Sequence, residues 1–377
     1  MGVVIMRWTL KYLSHVYIWP RSPSSSSTGA YLIMSPAFLH LLATALHSIV
    51  GLWNKEDVDV LLDVQNFTSQ LGVLCFIIFV MQTRQLFVQI VSDLSNFELF
   101  GKPPRLEMRR ETLDRYVKLF VVILYLAVLA FIAWPLVSIQ SCWDSNKQFG
   151  RNEPCGLLLP MWLPWDQNMF PWKQMTFVWQ AYCCVVSYGS AGITALALLE
   201  TMEYLLVRIQ HLKTLIGDVV EQPDPRKRQK LLAKWVQYHV FIYNIANKMS
   251  VSYKMSLAIF ALFVGVLFGF IGYTLMAGTS TVNTMALFCG WFLSLFVACV
   301  GGQRLIDESL SVAAAIYDSK WYDNDVKFQK NISVILMRAQ KPILIDAGPF
   351  TNLSLLLILT VLQTAYSYIN LLSATSD

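Results

Sequence analysis

"VKLFVVILYLAVLAFIAWPLVSIQ", residues 117–140, decides the fold. Lys118 is the one charge among its 24 residues. A helix rises about 1.5 Å per residue, and the hydrocarbon core of a bilayer is about 30 Å thick, so the stretch is long enough to cross. Lipid offers no hydrogen bonds to a backbone, so a crossing segment with no partner strand is helical.

The rest of the chain has the same character. Of 377 residues, 55% are hydrophobic and 14% charged, against about 25% charged in a soluble domain. Seven stretches qualify as spans: 32–53, 67–91, 117–140, 175–206, 255–277, 283–303 and 350–372. The first carries His40 and His47. The second is apolar to Met81 and runs on past Arg84 as a more polar helix. The fourth continues past Glu200 and Glu203, so its end leaves the bilayer. The connections after the first and fifth spans are short, and those after the fourth and sixth run to about fifty residues. The expected fold is an all-α membrane protein of seven transmembrane helices.

Charge sets the expected orientation, because short cytoplasmic loops collect Lys and Arg. One alternating set of regions, which includes the N-terminal segment, holds 25 of the 29 Lys and Arg residues; the other set holds four. The N-terminus is therefore expected in the cytoplasm and the C-terminus outside. That is inverted relative to a G-protein-coupled receptor. The net charge of +5 is spread over these loops and forms no basic block, so no nucleic-acid partner is expected. Residues 1–30 hold Arg7, Lys11, Arg21 and a flexible "SPSSSSTG" run, and show no cleavable signal peptide. "MGVVIM" has Met6 where a myristoylation site needs Ser or Thr. Cys142 and Cys155 share one loop and can pair if that loop lies outside the cell.

Other motifs exclude more than they assign. "LDRY" at 113–116 precedes the third span, whereas rhodopsin-like receptors carry Asp-Arg-Tyr at its cytoplasmic exit. No Walker loop, His-Glu-x-x-His or nucleophile elbow is present, so an enzyme is not expected. The cysteines lack metal-ligand spacing, and no cofactor is implied. Sequons begin at Asn66, Asn331 and Asn352; the middle one falls on the cytoplasmic side, and the others lie close to span mouths. Residues 304–349 show helical apolar spacing from Leu305 to Tyr317 and from Val326 to Met337. These read as cytoplasmic helices that pack against partners.

From Gly302 to Leu372 the chain resembles the insect odorant receptors, of the odour-tuning kind. The likeness rests on Ser309, Ala315, Tyr317, Trp321-Tyr322, Lys330, "RAQKP" 338–342, Ala347-Gly348, Phe350, "LS" 353–354, "VL" 361–362 and "YSY" 366–368. Upstream it rests on "WP" 19–20, the seven spans and the inverted topology. The resemblance implies an odorant-gated, poorly selective cation channel in the plasma membrane of olfactory sensory neurons. It implies a tetramer with an obligate co-receptor subunit, membrane lipid around it and a small volatile ligand. On this view residues 1–31 are a cytoplasmic segment and 32–303 hold the first six spans and the odorant pocket. Residues 304–349 form the anchor that holds subunits together, and 350–377 hold the pore-lining last helix and a short tail.

At about 100° per residue, Gln363, Thr364, Ser367 and Asn370 share an arc of about 120° on the last helix. Polar side chains in a span usually face protein or water. They are candidates for the pore lining, with Tyr368 behind them. Leu371 sits inside the same arc, and a ring of such side chains can close a pore by dewetting. A pocket for a volatile is apolar and aromatic with few polar anchors. Its expected lining is Leu71, Cys75 and Phe76 on the second span, and Leu129, Ala130, Ala133 and Trp134 on the third. The fourth adds Trp179, Tyr182, Cys183 and Val186; the fifth and sixth add Phe270, Tyr273, Met285 and Phe288. The alternative is a metabotropic seven-helix chemoreceptor coupled to a G protein, with its C-terminus inside the cell. A transporter would show two matching halves with broken helices, and no such repeat is present.

Overall fold

The computed structural model describes residues 5–20, 28–53, 60–150, 154–276 and 281–376. Arg21, Lys55, Arg151, residues 1–4 of "MGVVIM" and most of the "SPSSSSTG" run lie outside them. The order is α1 (Arg7–His15), α2 (Thr28–Trp53), α3 (Val60–Gln82), α4 (Arg84–Ser95), α5 (Leu106–Val137), α6 (Ile139–Phe149), α7 (Trp172–Val220), α8 (Pro225–Met276), α9 (Thr281–Asp318), a 3-10 turn (Trp321–Asp323), α10 (Val326–Ala339) and α11 (Leu355–Ser376). Seven of these are long and apolar enough to cross a membrane: α2, α3, α5, α7, α8, α9 and α11. Among the described residues the one β feature is an isolated bridge between Asp346 and Asn352.

The two long connections are largely helical. Helix α7 has 49 residues and α8 has 52, about 74 and 78 Å at 1.5 Å per residue. Each runs more than twice the depth of the hydrocarbon core. The polar stretch after the fourth span therefore stays helical on both sides of a turn at "EQPD", 221–224. Pro225 opens α8, where its missing N–H costs nothing, and the Asp224 carboxylate accepts from Arg226 N at 2.9 Å. Helix α9 likewise passes unbroken through the expected boundary at 303/304. The second span does run on past Arg84, with a break at Thr83, whose Oγ1 donates to Ser252 O on α8 at 3.0 Å.

Helix α8 is the axis of the bundle, with α3, α4, α7, α9 and α11 packed around it. Its buried side chains Trp235, Tyr238, Ile242, Ile245, Met249, Tyr253, Leu257, Ala261, Val264, Phe268 and Ile271 repeat at three- and four-residue steps. That is the spacing of a helix that buries one continuous stripe. The N-terminal α1 packs on α5 and α7, and Thr9 Oγ1 donates to the buried Glu200. In the polar parts of the long helices, ion pairs hold them together. Glu203 of α7 pairs with both Arg109 of α5 and Arg304 of α9, and Lys248 of α8 meets Asp93 of α4 at 2.7 Å. The buried Arg208 donates to the carbonyls of Asp93, Leu94 and Asn96 at 2.7–3.1 Å, placing a cation at the carbonyl end of α4.

The segment 340–354 returns the chain to the start of α11. Its geometry accounts for several residues of the resemblance. A Cβ on Gly302 would stand 2.1 Å from Leu353 O. Ser309 Oγ accepts from Ile343 N at 2.9 Å and donates to Ile306 O at 2.8 Å. Gly348 has φ +73° and lies against Ala258. Asp346 N donates to Ser250 Oγ at 3.0 Å, and its carboxylate meets Lys254 at 2.7 Å. The backbone of 345–353 closes on itself through Leu353 N to Ile345 O and Ala347 N to Thr351 O.

Candidate pore face and ligand site

Helix α11 has two unlike sides. Leu357, Val361 and Ala365 are buried, on the side that meets α8 and α9. Gln363, Ser367, Asn370 and Leu371 are exposed, Leu371 at 60%. The expected polar arc is therefore divided. Four of its members face outward, while Thr364 and Tyr368 turn toward α8.

What receives them is a glycine track that reading the sequence for spans missed. "GVLFGFIG", 265–272, places Gly265, Gly269 and Gly272 along one side of α8. A Cβ at these positions would stand 3.4 Å from Thr364 Cγ2, 2.6 Å from Tyr368 Cβ and 2.4 Å from Ile369 Cδ1. Small residues four apart are the usual means by which helices approach closely in lipid, and that spacing was the available signal.

The residues expected to line a pocket do not gather round one cavity. Leu129, Ala130, Ala133 and Trp134 lie on the outer, exposed side of α5. The inward side of α5 carries Val121 and Val128, with Leu124 and Tyr125 against Gly192 and Gly189 of α7. Trp179 and Tyr182 turn to α2, donating to Pro36 O and Ile33 O at 3.2 Å each, and Cys183 packs with Ala37 and Leu74. Met285 is exposed. Phe76, Val186 and Phe288 sit in or against the main core; Leu71, Cys75, Phe270 and Tyr273 are half-buried. One depression of about 110 Å³ lies beside the Cys142–Cys155 pair, lined by Pro135, Ser138, Pro154, Gly156, Leu157 and Pro160. None of the expected pocket residues lines it. Cys142 and Cys155 themselves are bonded, with Cα atoms 5.7 Å apart.

The family model described as 7tm Odorant receptor matches residues 58–366. The chain belongs to that family. Odorant receptor 82a of Drosophila melanogaster is 30% identical over 157 residues, 41% of this chain and 40% of that one. The odorant receptor coreceptor of Harpegnathos saltator is 26% identical over 151 residues, 38% of this chain and 32% of that one. Each of these matches spans less than half of the relative's own length. The insect olfactory receptor OR5 of Machilis hrabei, solved in complex with eugenol, superposes with a TM-score of 0.78 at 14% identity, covering 98% of both chains. The fold is thus that of the odorant receptors. The family is one of receptors and not of enzymes, and this member is a multi-pass membrane protein.

In this receptor fold the groups that meet between α3, α5 and α7 centre on Tyr188, which reading the sequence did not select. Its hydroxyl lies 3.2 Å from Ser69 Oγ on α3, and its ring lies 6.5 Å from that of Phe131 on α5, itself 44% exposed. Nearby, Gln65 Nε2 donates to Thr274 Oγ1 of α8. Aromatic rings continue through Phe76, Phe260 and Trp291 and through Phe268, Phe288 and Phe292. The run "SYGSAG", 187–192, was the sequence signal: its two glycines admit large side chains from α5.

Proposed function

We propose that this chain is the odorant-binding subunit of a ligand-gated, non-selective cation channel. The observation that carries this reading is the outward set on α11. Gln363, Ser367 and Asn370 are polar side chains on the exposed side of a membrane-spanning helix whose other side is already packed. Amide groups are costly in lipid, so this face calls for water or another subunit, and a central pore supplies both. Leu371 then supplies the apolar constriction and Tyr368 backs it from the α8 side. The partner is the co-receptor, in a hetero-oligomer, as the family resemblance implies. Exposed Tyr317, Tyr322, Val326, Val334 and Met337 on the polar extension give that partner an apolar surface.

The ligand class is a small volatile of apolar or aromatic character, in keeping with the eugenol complex of the relative. We place it among α3, α5, α7, α8 and α9, between the rings of Phe131, Tyr188 and Phe76, with the Ser69–Tyr188 pair as its polar anchor. Beside it α5 and α7 approach closely, with Tyr125 and Leu124 against Gly189 and Gly192, so the ligand parts these helices on entry. The disulfide supports a 3–4 connection on the oxidising side of the membrane, and hence an N-terminus in the cytoplasm and a C-terminus outside. The site of action is then the plasma membrane of olfactory sensory neurons. Current recording from cells that express this chain with the co-receptor, across an odorant panel, tests the reading. Odorant-evoked cation current with an extracellular C-terminal label supports it; a cytoplasmic label with G-protein-dependent signalling refutes it.

A further inference from the structure

The segment 154–172, "PCGLLLPMWLPWDQNMFPW", connects α6 to α7, and it does not stand clear of the membrane. Trp162 N donates to Ala43 O of α2 at 2.9 Å. Ala43 lies ten residues before the end of α2 at Trp53, about 15 Å below it. Gln180, fully buried on α7, accepts from Leu158 N at 2.8 Å and donates to Leu159 O at 2.6 Å. Gln180 lies eight residues into α7, about 12 Å below its start. The loop backbone is therefore fastened well below the ends of both helices. Helix α2, with 26 residues, is about 39 Å long. Centred on a core about 30 Å thick, it overhangs by about 5 Å a side, which puts Trp162 within the outer part of that core.

Non-helical backbone is tolerated at that depth only where protein satisfies it, and here four of its groups are bonded to protein. Leu158 N, Leu159 O and Trp162 N are bonded as described, and Met161 O accepts from Gln167 Nε2 at 2.6 Å. Pro154, Pro160, Pro164 and Pro171 bring no N–H at all. Leu157 and Met161 are buried against the bundle. Trp162, Trp165, Met169, Phe170 and Trp172 are exposed, Phe170 at 81%. They are followed in the chain by Met175 and Val178, exposed apolar residues in the first two turns of the membrane-crossing α7. Tryptophan at the boundary of a bilayer is at home, with an apolar ring and one N–H for the headgroups.

We infer that residues 157–172 form a re-entrant foot seated in the leaflet next to the start of α7, with phospholipid as its partner. Phe170 and the three tryptophans enter the acyl boundary, while Asp166 and Lys173 stay at headgroup level. This rests on the membrane insertion of the seven helices and not on the channel reading. The test uses the full chain in phosphatidylcholine nanodiscs, with exposed Cys289 changed to Ser and a nitrobenzoxadiazole label on Phe170→Cys. A matching label on Lys147→Cys of α6 is the control. Lipid carrying a nitroxide near the headgroup should cut emission at position 170 at least twofold and leave 147 unchanged, while iodide in solution should do the reverse. Equal iodide quenching at both positions, with no nitroxide effect, would put the loop in water and overturn the inference. Protection of position 170 from both quenchers would show a protein neighbour in place of lipid and overturn it as well.

Discussion

Gly269 of α8 and Tyr368 of α11 meet with no room for a side chain between them. A methyl group on Gly269 would stand 2.6 Å from Tyr368 Cβ and 3.5 Å from Ala365 O. The last helix therefore sits where it does because α8 offers backbone, not side chain, along this line.

Gly269→Ala should displace α11 or strain it by about 1–3 kcal/mol, the usual cost of overpacking. Odorant-evoked current should fall at least tenfold at matched surface expression. Gly265→Ala, with 3.4 Å to Thr364 Cγ2, should stay near wild type. Equal behaviour of the two variants would remove the packing account.

On α11 itself, the outward and inward residues should separate. Leu371→Ala should raise basal current, and Ser367→Ala or Asn370→Ala should change relative ion permeabilities. Thr364→Val and Tyr368→Phe, on the α8 side, should leave permeability ratios alone. Reversal potentials in mixed cations read the difference, and an altered ratio in the second pair would put those residues in the pore.

At the proposed ligand site, Tyr188→Phe removes the hydroxyl that meets Ser69. At about 0.5–1.5 kcal/mol for a lost hydrogen bond, the half-maximal odorant concentration should rise by about two- to tenfold. Ala133→Phe, on the exposed side of α5, should leave the dose–response curve unchanged. If instead Ala133→Phe abolishes the response and Tyr188→Phe does not, the ligand lies on the outer side of α5.

Gly302→Ala should abolish surface expression, since a Cβ 2.1 Å from a backbone oxygen cannot be accommodated by a side-chain shift. Ser309→Ala is milder. It leaves Ile343 N without its acceptor, at about 1–3 kcal/mol, and should lower thermal stability in detergent without ending expression.

Asp325 caps α10 by accepting from Phe328 N at 3.2 Å and meets Arg228 at 2.6 Å. The bond from Arg228 holds its carboxyl below the usual carboxylate range. A depressed pKa contributes stability that is complete above the unfolded value of about 3.9 and is lost as pH falls through the folded one. The cap should thus be intact throughout the neutral range. Asp325→Asn should keep the cap and lose the ion pair, and Asp325→Ala should lose both. Amide exchange over 326–330 at neutral pH should therefore rise in the order wild type, Asn, Ala; identical exchange in all three would count against the cap.

Much of this was legible in the residues. Apolar runs such as 117–140 announce spans because hydrocarbon leaves a backbone no other choice than to bond to itself. The pattern around Ser309, "RAQKP" and Ala347-Gly348 was visible as a likeness, although its cause, the junction of α8, α9 and the return segment, was not. Helical continuity past Val207 and through Arg304 was hidden, because hydropathy falls where a helix leaves lipid, whether or not the helix ends. The expected pocket residues are dispersed over several faces for a related reason. Depth in the membrane can be counted along the chain, but Val128 and Ala130 differ by only about 3 Å in depth, and the first is buried while the second is exposed.

By itself, then, the sequence determined the seven crossings, the charge asymmetry on which the proposed orientation rests and the unusual polarity of the last helix. These are properties of local composition, and a bilayer responds to composition. Only the tertiary structure decided which side of each helix is used. It turned Thr364 and Tyr368 onto the glycines of α8, left Ser367, Asn370 and Leu371 facing out, and drew Tyr188 together with Ser69 and Phe131. Those choices depend on close approach between segments far apart in the chain, where the lack of a single Cβ decides which surfaces can touch.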